Sequence, residues 1–337
     1  MIRYPLLTKG ATIGITAPSS GLSDELHPLL KLACSRMESK GFGITCGDTV
    51  WTHSKAKSSP AKKRAAEFNR MMRDDEIGLI IPPWGGELLI EILEELDFEH
   101  MSAKWIMGYS DTSVLLFAIT LQTGIATAHG ANLIDMRGED QDDTTAMWQK
   151  VLATEAGGSI EQHSSAKYQK EWQFHNPSPC IFHLTEETSW RTISEQNVSM
   201  SGRLLGGCVD VIRHLVGTPY GDVRGFMKQY IDGDPIVWYF ENCELSTTDL
   251  RRSFVQMKLA GWFEHCAGIL IGRSSANHPV DGYTAEDVYR DLYDELKVPI
   301  VYDIDCGHVP PQITLINGAY AEVHVEDGKG TITQRFL

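Results

Sequence analysis

Short apolar runs alternate with longer amphipathic stretches through the first 150 or so residues, and the alternation names the elements. "ATIGITAP" (residues 11–18) reads as a buried strand, and "LHPLLKLACSRMESKG" (26–41) as a helix stopped by Gly41. "FGITCGD" (42–48) is a second strand. A basic helix follows in "KAKSSPAKKRAAEFNRMMRD" (55–74), with Ser59 as its cap and Pro60 at its first position. Then come the strand "IGLIIPPW" (77–84), a helix in "ELLIEILEEL" (87–96), the strand "KWIMGYS" (104–110) and an apolar helix after Ser110. Strand–helix alternation of this kind argues for a parallel sheet wrapped by helices. Ligands of such sheets bind beyond the carboxyl ends of the strands. Three loops stand there: "APSSG" (17–21), "PPWGGE" (82–87) and "GYSD" (108–111).

The pattern changes from about residue 138 to 200, which is polar, weakly periodic and carries Trp148, Trp172 and Trp190. This stretch reads as a connection and a substrate-facing insert. After "VSMSGRLLGGCVDVIRHLVGTPYGD" (198–222) short strands dominate, in "PIVWYFEN", "AGILIGR", "PIVYDID", "ITLINGAYAEVHV" and "KGTITQRF". One helix, at about residues 247–261, interrupts them. The expected organisation is an α/β domain over residues 1–165 and a β-rich domain over residues 166–337.

Charge and cysteine content narrow the function. The formal charge is −15, and an acidic surface repels phosphate backbones, so nucleic acid is not expected as a partner. The basic helix is read as a solvated face. Seven scattered cysteines, with no C-x-x-C pair, argue against a disulfide framework or a zinc ribbon. "CIFH" (180–183) lacks a second ligand pair and reads as two packed side chains. No apolar run approaches the roughly 20 residues that span a bilayer, and "MIRYPLLTKG" lacks the apolar core of a secretory signal. A cytoplasmic protein without a membrane partner is expected. No G-x-G-x-x-G or Walker loop supports a dinucleotide or NTP site.

Three positions carry candidate chemistry. Ser110 stands on a tight corner between a buried strand and a helix. It is either part of a plain βα turn or a nucleophile with the backbone N–H of Asp111 beside it at a helix N-terminus. Thr112 stands where a G-x-S-x-G elbow would have its second glycine. Gly85 and Gly86, at the end of the neighbouring strand, let a second backbone donor approach closely. Glu241 leaves a run of apolar and aromatic residues. It is either a rim carboxylate, paired to a group such as Arg251, or the acid that orients a base, with Glu244 as its rival. His308 follows a strand and Gly307 and precedes a double proline that stiffens its loop. A serine nucleophile needs exactly such a base, and the base needs an orienting acid.

Taken together, the stretches resemble one family. "ITAPSS", "GGELLIEILEELDF", "GYSDTS", "SGRLLGGCVDVIRHLVGTPY", "FEN" and "YDIDCGH" are similar, in order and over nearly the whole chain, to the LD-carboxypeptidase and microcin C self-immunity serine peptidases. The resemblance implies Ser110 as nucleophile, Glu241 as orienting acid and His308 as base. It implies an oxyanion hole made by the N–H of Asp111 and the Gly85–Gly86 loop. It further implies a flavodoxin-like (class I glutamine-amidotransferase-like) N-terminal domain, a β-rich C-terminal domain contributing Glu241 and His308, a homodimer, and no metal or other cofactor.

The chain departs from the family pattern in "PPWGGE", in "HGA" (129–131) and in "ITLINGAYAEV". The tryptophan-bearing insert, "SGRLLGG" and "RRSFVQMKLAGWF" (251–263) lean towards the immunity branch and an aminoacyl-nucleotide substrate. The alternative is a murein tetrapeptide that loses its terminal D-alanine. A competitor of another class is a flavodoxin-like protein that binds a ligand without turning it over, and a milder one is a general esterase. Trp190 and Trp84 are candidates to stack on a base, with core or surface packing as the competing reading. Arg203 is a candidate cation for the polar end of the substrate, as is Arg252, with surface pairing as the alternative.

Overall fold

The computed structural model describes residues 1–174 and 176–337 and contains two large sheets. The first has five parallel strands: Thr12–Ile15, Gly43–Cys46, Ile77–Ile81, Trp105–Gly108 and Thr127–His129. Numbered along the chain, their spatial order is 2-1-3-4-5, the flavodoxin-like order, with its switch point between the first and third strands. The loops "APSSG" and "PPWGGE" leave the carboxyl ends at that switch, and "GYSD" leaves the neighbouring strand. A sixth strand, Leu315–Asn317, closes the other edge antiparallel to Thr127–His129.

The second sheet has eight strands. Its centre is parallel: Val198–Cys208, Ile236–Glu241, Cys266–Gly272 and Ile300–Ile304. Antiparallel strands Tyr320–Glu326, Lys329–Arg335 and Ser159–His163 extend one side, and Arg191–Thr192 pairs at the other. The expected β-rich half is therefore more helical than its sequence pattern indicated. Beside Thr247–Leu259 it contains Val223–Tyr230 and Ala285–Leu296, the latter opened by a Thr284–Asp287 capping box. The expected helix in "ELLIEILEEL" is a 3-10 segment, Leu89–Glu95, and Pro60 stands at the cap of the Ala61–Arg73 helix. The expected division at residue 165 is crossed twice, since Ser159–His163 joins the second sheet and Leu315–Asn317 the first.

One helix binds the two sheets. Thr112–Thr123 ("TSVLLFAITLQT") is apolar on every side and buried at all positions except Gln122, as a helix sandwiched between layers must be. On its far side Phe117 stacks on Trp262 at 5.0 Å, and Trp262 stacks on Trp238 at 5.5 Å. Near its start, Ser113 Oγ accepts the Cys208 N–H at 3.0 Å. Gly207 makes that approach possible: its φ is +149°, and a Cβ there would lie 2.8 Å from Ser113 Cβ. The start of the helix is thus held against the end of a strand from the other sheet. Among the described residues no helix is long and apolar enough to cross a membrane.

Candidate active site

Ser110 lies between the fully buried strand Trp105–Gly108 and the Thr112–Thr123 helix, at φ +63°. A non-glycine residue in the left-handed region costs about 1–2 kcal/mol. Such strain persists where the surroundings over-determine it, most often at functional corners. Ser113 N–H donates to the Ser110 carbonyl at 2.9 Å, which fixes the turn into the helix.

The glycine loop packs directly on this corner. A Cβ on Gly85 would lie 2.6 Å from Ser110 Cβ, 2.7 Å from its Oγ and 3.1 Å from the Asp111 nitrogen. The Asp111 side chain clamps the arrangement, accepting from Leu89 N–H at 2.8 Å and from the Ser19 hydroxyl. Burial pushes the Asp111 carboxyl up, against the opposing effect of these donors. Ser20 N–H donates to the Gly85 carbonyl at 3.3 Å, so "APSSG" holds the loop from the other side. Among the described residues no protein group accepts from the N–H of Asp111, Gly85 or Gly86.

Glu241 ends its strand with 0 % of its side chain exposed, and its Oε2 accepts from His308 Nδ1 at 2.7 Å. Burial alone would raise the Glu241 carboxyl; the charge and hydrogen bond of His308 outweigh it and hold the group below its ordinary value. Burial would likewise lower His308, but Glu241, with Cys243 nearby, lifts it well above the ordinary histidine value. Tyr109 stands edge-on to His308, ring centroids 4.9 Å apart, and Trp172 Nε1 donates to the His308 carbonyl at 2.9 Å. Among the described residues no hydrogen bond joins Ser110 to His308. Both nevertheless line one open cavity of about 460 Å³, with Trp84, Gly85, Gly86, Glu87 and Tyr109 among its other walls.

The structure thus places Ser110, Gly85, Gly86, His308 and Trp84 on the wall of one cavity, with Asp111 next to Ser110 and Glu241 buried behind His308, and excludes other candidates from it. Trp190 is a core residue of the second sheet, 2 % exposed, with its N–H on Asp305 Oδ2 at 2.9 Å. Arg203 is held by Asp234 at 2.7 Å and by the Tyr4 hydroxyl at 3.1 Å, in a different cavity. Arg252 pairs on the surface with Asp249. The expected cation is missing: among the described residues no lysine or arginine lines the Ser110 cavity. Glu87 does line it, and burial together with Glu244, Asp111 and Asp210 pushes its carboxyl up. The sequence reading does not single out Tyr109, and it places Trp172 only among the three tryptophans of the substrate-facing insert. The only available signal for Trp172 was a tryptophan in a polar stretch, a signal Trp190 shares.

Comparison with known proteins agrees with this architecture. The family model of the LD-carboxypeptidase N-terminal domain matches residues 13–130, and that of the C-terminal domain matches residues 201–323. The microcin C7 self-immunity protein MccF of Escherichia coli is 25% identical over 99% of this chain and 97% of its own length. A probable murein peptide carboxypeptidase of Bacillus subtilis (strain 168) is 25% identical over 97% of this chain and 92% of its own. The fold matches that of MccF solved in complex with aspartyl sulfamoyl adenosine, with a TM-score of 0.83 at 22% identity and 100% of both chains covered. A family match over both halves, and over more than half the chain, is decisive: the protein belongs to the LD-carboxypeptidase family of serine peptidases.

Proposed function

We propose that this enzyme works through Ser110 as nucleophile, His308 as general base and Glu241 as the acid that orients it, and that it cleaves the acyl linkage of aminoacyl-nucleotide compounds of the microcin C type. The observation that carries the triad is the 2.7 Å bond between a fully buried carboxylate and a histidine that shares a cavity with a serine on a strained corner. His308, with Nδ1 engaged by Glu241, presents Nε2 for the serine proton. The Ser110–His308 contact closes when substrate binds, as catalytic hydrogen bonds commonly do. Ser110 Oγ then attacks the carbonyl carbon while Glu241 stabilises the imidazolium.

The developing oxyanion falls to the Asp111 N–H and an N–H of the Gly85–Gly86 loop, each worth about 3 kcal/mol in known oxyanion holes. His308 returns the proton to the leaving group, and water, activated by the same base, hydrolyses the acyl-enzyme. Trp84 and Tyr109 in the cavity wall offer aromatic surface to a nucleobase. This aromatic wall, and the absence of a lining lysine or arginine among the described residues, favour a nucleoside over a peptide carboxylate at that end.

The test is a mass-spectrometric endpoint assay of wild type and Ser110→Ala. Each is incubated with an aspartyl sulfamoyl adenosine and with an L,D-linked murein tetrapeptide. Serine-dependent loss of the aspartyl group supports the reading, whereas serine-dependent release of D-alanine replaces its substrate with murein. Equal turnover by Ser110→Ala removes the triad.

A further inference from the structure

Beneath Glu241 and His308 lies a second histidine that the mechanism leaves unused. His129 ends the strand Thr127–His129, which pairs with both Trp105–Gly108 and Leu315–Asn317, and it is 0 % exposed. Its Nδ1 is 3.7 Å from Cys306 Sγ, and its ring stands edge-on to Tyr239 at 5.4 Å and to Tyr109 at 6.4 Å. Burial pushes its pKa down to about 4, with Glu241 opposing and His308 assisting, so the imidazole is neutral at neutral pH. Burial also lifts the Cys306 thiol far above its ordinary value, so it keeps its proton and can donate to Nδ1. The ring proton of His129 then sits on Nε2.

Two fully buried polar atoms meet no protein group in hydrogen-bond geometry among the described residues: His129 Nε2, a donor, and Glu241 Oε1, an acceptor; the buried Cys208 thiol, kept protonated, is the other group that acts on the Glu241 carboxylate. Leaving either unpaired is costly, and internal waters commonly bridge such groups. The Glu241 charge favours a proton on His129, and a protonated His129 would lower Glu241, so the two groups lie within electrostatic reach of each other.

We propose that His129 is a positioning residue for the Glu241–His308 pair, its neutral Nε2–H holding the second oxygen of the Glu241 carboxylate across at most one internal water. The inference rests on the assignment of Glu241 and His308 above. A carboxylate held at both oxygens keeps one rotamer and one line to His308. Without the second donor, its negative charge falls wholly to the imidazolium. The pair then grips its proton more tightly, and the free-base fraction of His308 declines at a given pH.

The groups packed around His129 are Tyr109, Tyr239, Glu241, Cys306 and His308. Glu241 and His308 carry charge near neutrality, and so does Asp135, which hydrogen-bonds Tyr109 and is raised by burial to about 6. Asp135 is common to wild type and both variants, so a difference between their pH profiles reports on the Glu241–His308 pair. The experiment measures kcat and KM against pH, on the substrate the wild type cleaves, for wild type, His129→Phe and His129→Gln. The glutamine amide keeps a donor near the Nε2 position, and phenylalanine does not. We expect His129→Phe to lower kcat about tenfold, as small misplacements of catalytic groups do, with KM unchanged and the acid limb moved to higher pH. His129→Gln should recover most of kcat and the wild-type limb.

Equal behaviour of the two variants, or a wild-type profile for His129→Phe, overturns the inference. Nitrogen-15 NMR of histidine-labelled wild type decides the matter even if the variants fold poorly. The Nε2–H tautomer of His129, with a proton resonance that moves in Glu241→Gln, supports it, and an Nδ1–H tautomer refutes it. A fully active Ser110→Ala enzyme would instead remove the triad itself. An inactive Ser110→Ala enzyme beside a wild-type-like His129→Phe overturns this inference alone.

Discussion

Glu241 carries two consequences at once, because it is buried and has one histidine to share its charge. The pH dependence has a definite sign. His308 is held well above its ordinary value, so it is protonated, and unable to act as a base, up to a higher pH than a free histidine. The acid limb of kcat/KM belongs on that raised value. Replacing the acid in Glu241→Gln removes the main group that lifts His308 and leaves burial, the largest single influence, to lower it against Cys243. The limb should then move to lower pH while kcat falls by about 10⁴-fold, by analogy with the same change in serine protease triads. A pH–rate profile of the variant checks both. Gly85 gives a steric counterpart: in Gly85→Ala the methyl group would meet Ser110 Cβ at 2.6 Å and Oγ at 2.7 Å. Activity should drop by at least about 100-fold, the scale of losing one oxyanion donor, and the melting temperature should fall too, since overpacking costs about 1–3 kcal/mol; a rate assay below the new transition separates the two.

The same scale shows what a sequence can and cannot disclose. Ser110 and His308 stand just past apolar strands and Glu241 is the last residue of one, and a strand's end is visible in the pattern of its own neighbours. Trp190 and Arg203 were misplaced because their decisive partners are remote. Asp305 is 115 positions from Trp190, and Asp234 is 31 from Arg203. A tryptophan in a polar stretch looks the same whether its N–H meets a distant carboxylate or a ligand.

Among the elements, the strand Ile300–Ile304 and the insert are fastened by one side chain. Asp305, fully buried, accepts from Ser165 N–H at 2.9 Å, Ser165 Oγ at 2.6 Å and Trp190 Nε1 at 2.9 Å, and pairs with Arg273. It stands three residues before His308, so the clamp sets where that loop leaves the sheet. Asp305→Ala would leave Arg273 buried without its charge partner, a loss of about 3–5 kcal/mol. The melting temperature should fall, and kcat with it. Calorimetry and a rate assay below the new transition separate the two effects. The helix Ala285–Leu296 is hidden by the neighbouring strands in the pattern, and the 3-10 segment Leu89–Glu95 gives its first N–H, at Leu89, to Asp111 beside Ser110.

For the molecule as a whole, buried His129 makes stability depend on acid. Its pKa of about 4 in the fold lies below the ordinary 6.5 of the unfolded chain. Between those values the unfolded state binds the extra proton, so stability is lost as pH falls through that window and is flat with respect to this group above it. The full difference is on the order of 3 kcal/mol. Urea unfolding at pH 7 and pH 5 should show wild type losing more stability than His129→Gln. An equal loss in both would assign the acid sensitivity elsewhere.

The strand Leu315–Asn317 ties these halves together in time as well as in space. The sheet that presents Ser110 is completed by residues that follow His308 in the chain, pairing with Thr127, Ala128 and His129. During vectorial synthesis the amino-terminal sheet therefore waits with an open edge, and the proposed nucleophile waits without its proposed base, until the chain beyond His308 emerges. The same late segment that seals the edge follows directly on the loop that carries the base into place, so a half-made chain is a half-sheet and not yet a hydrolase.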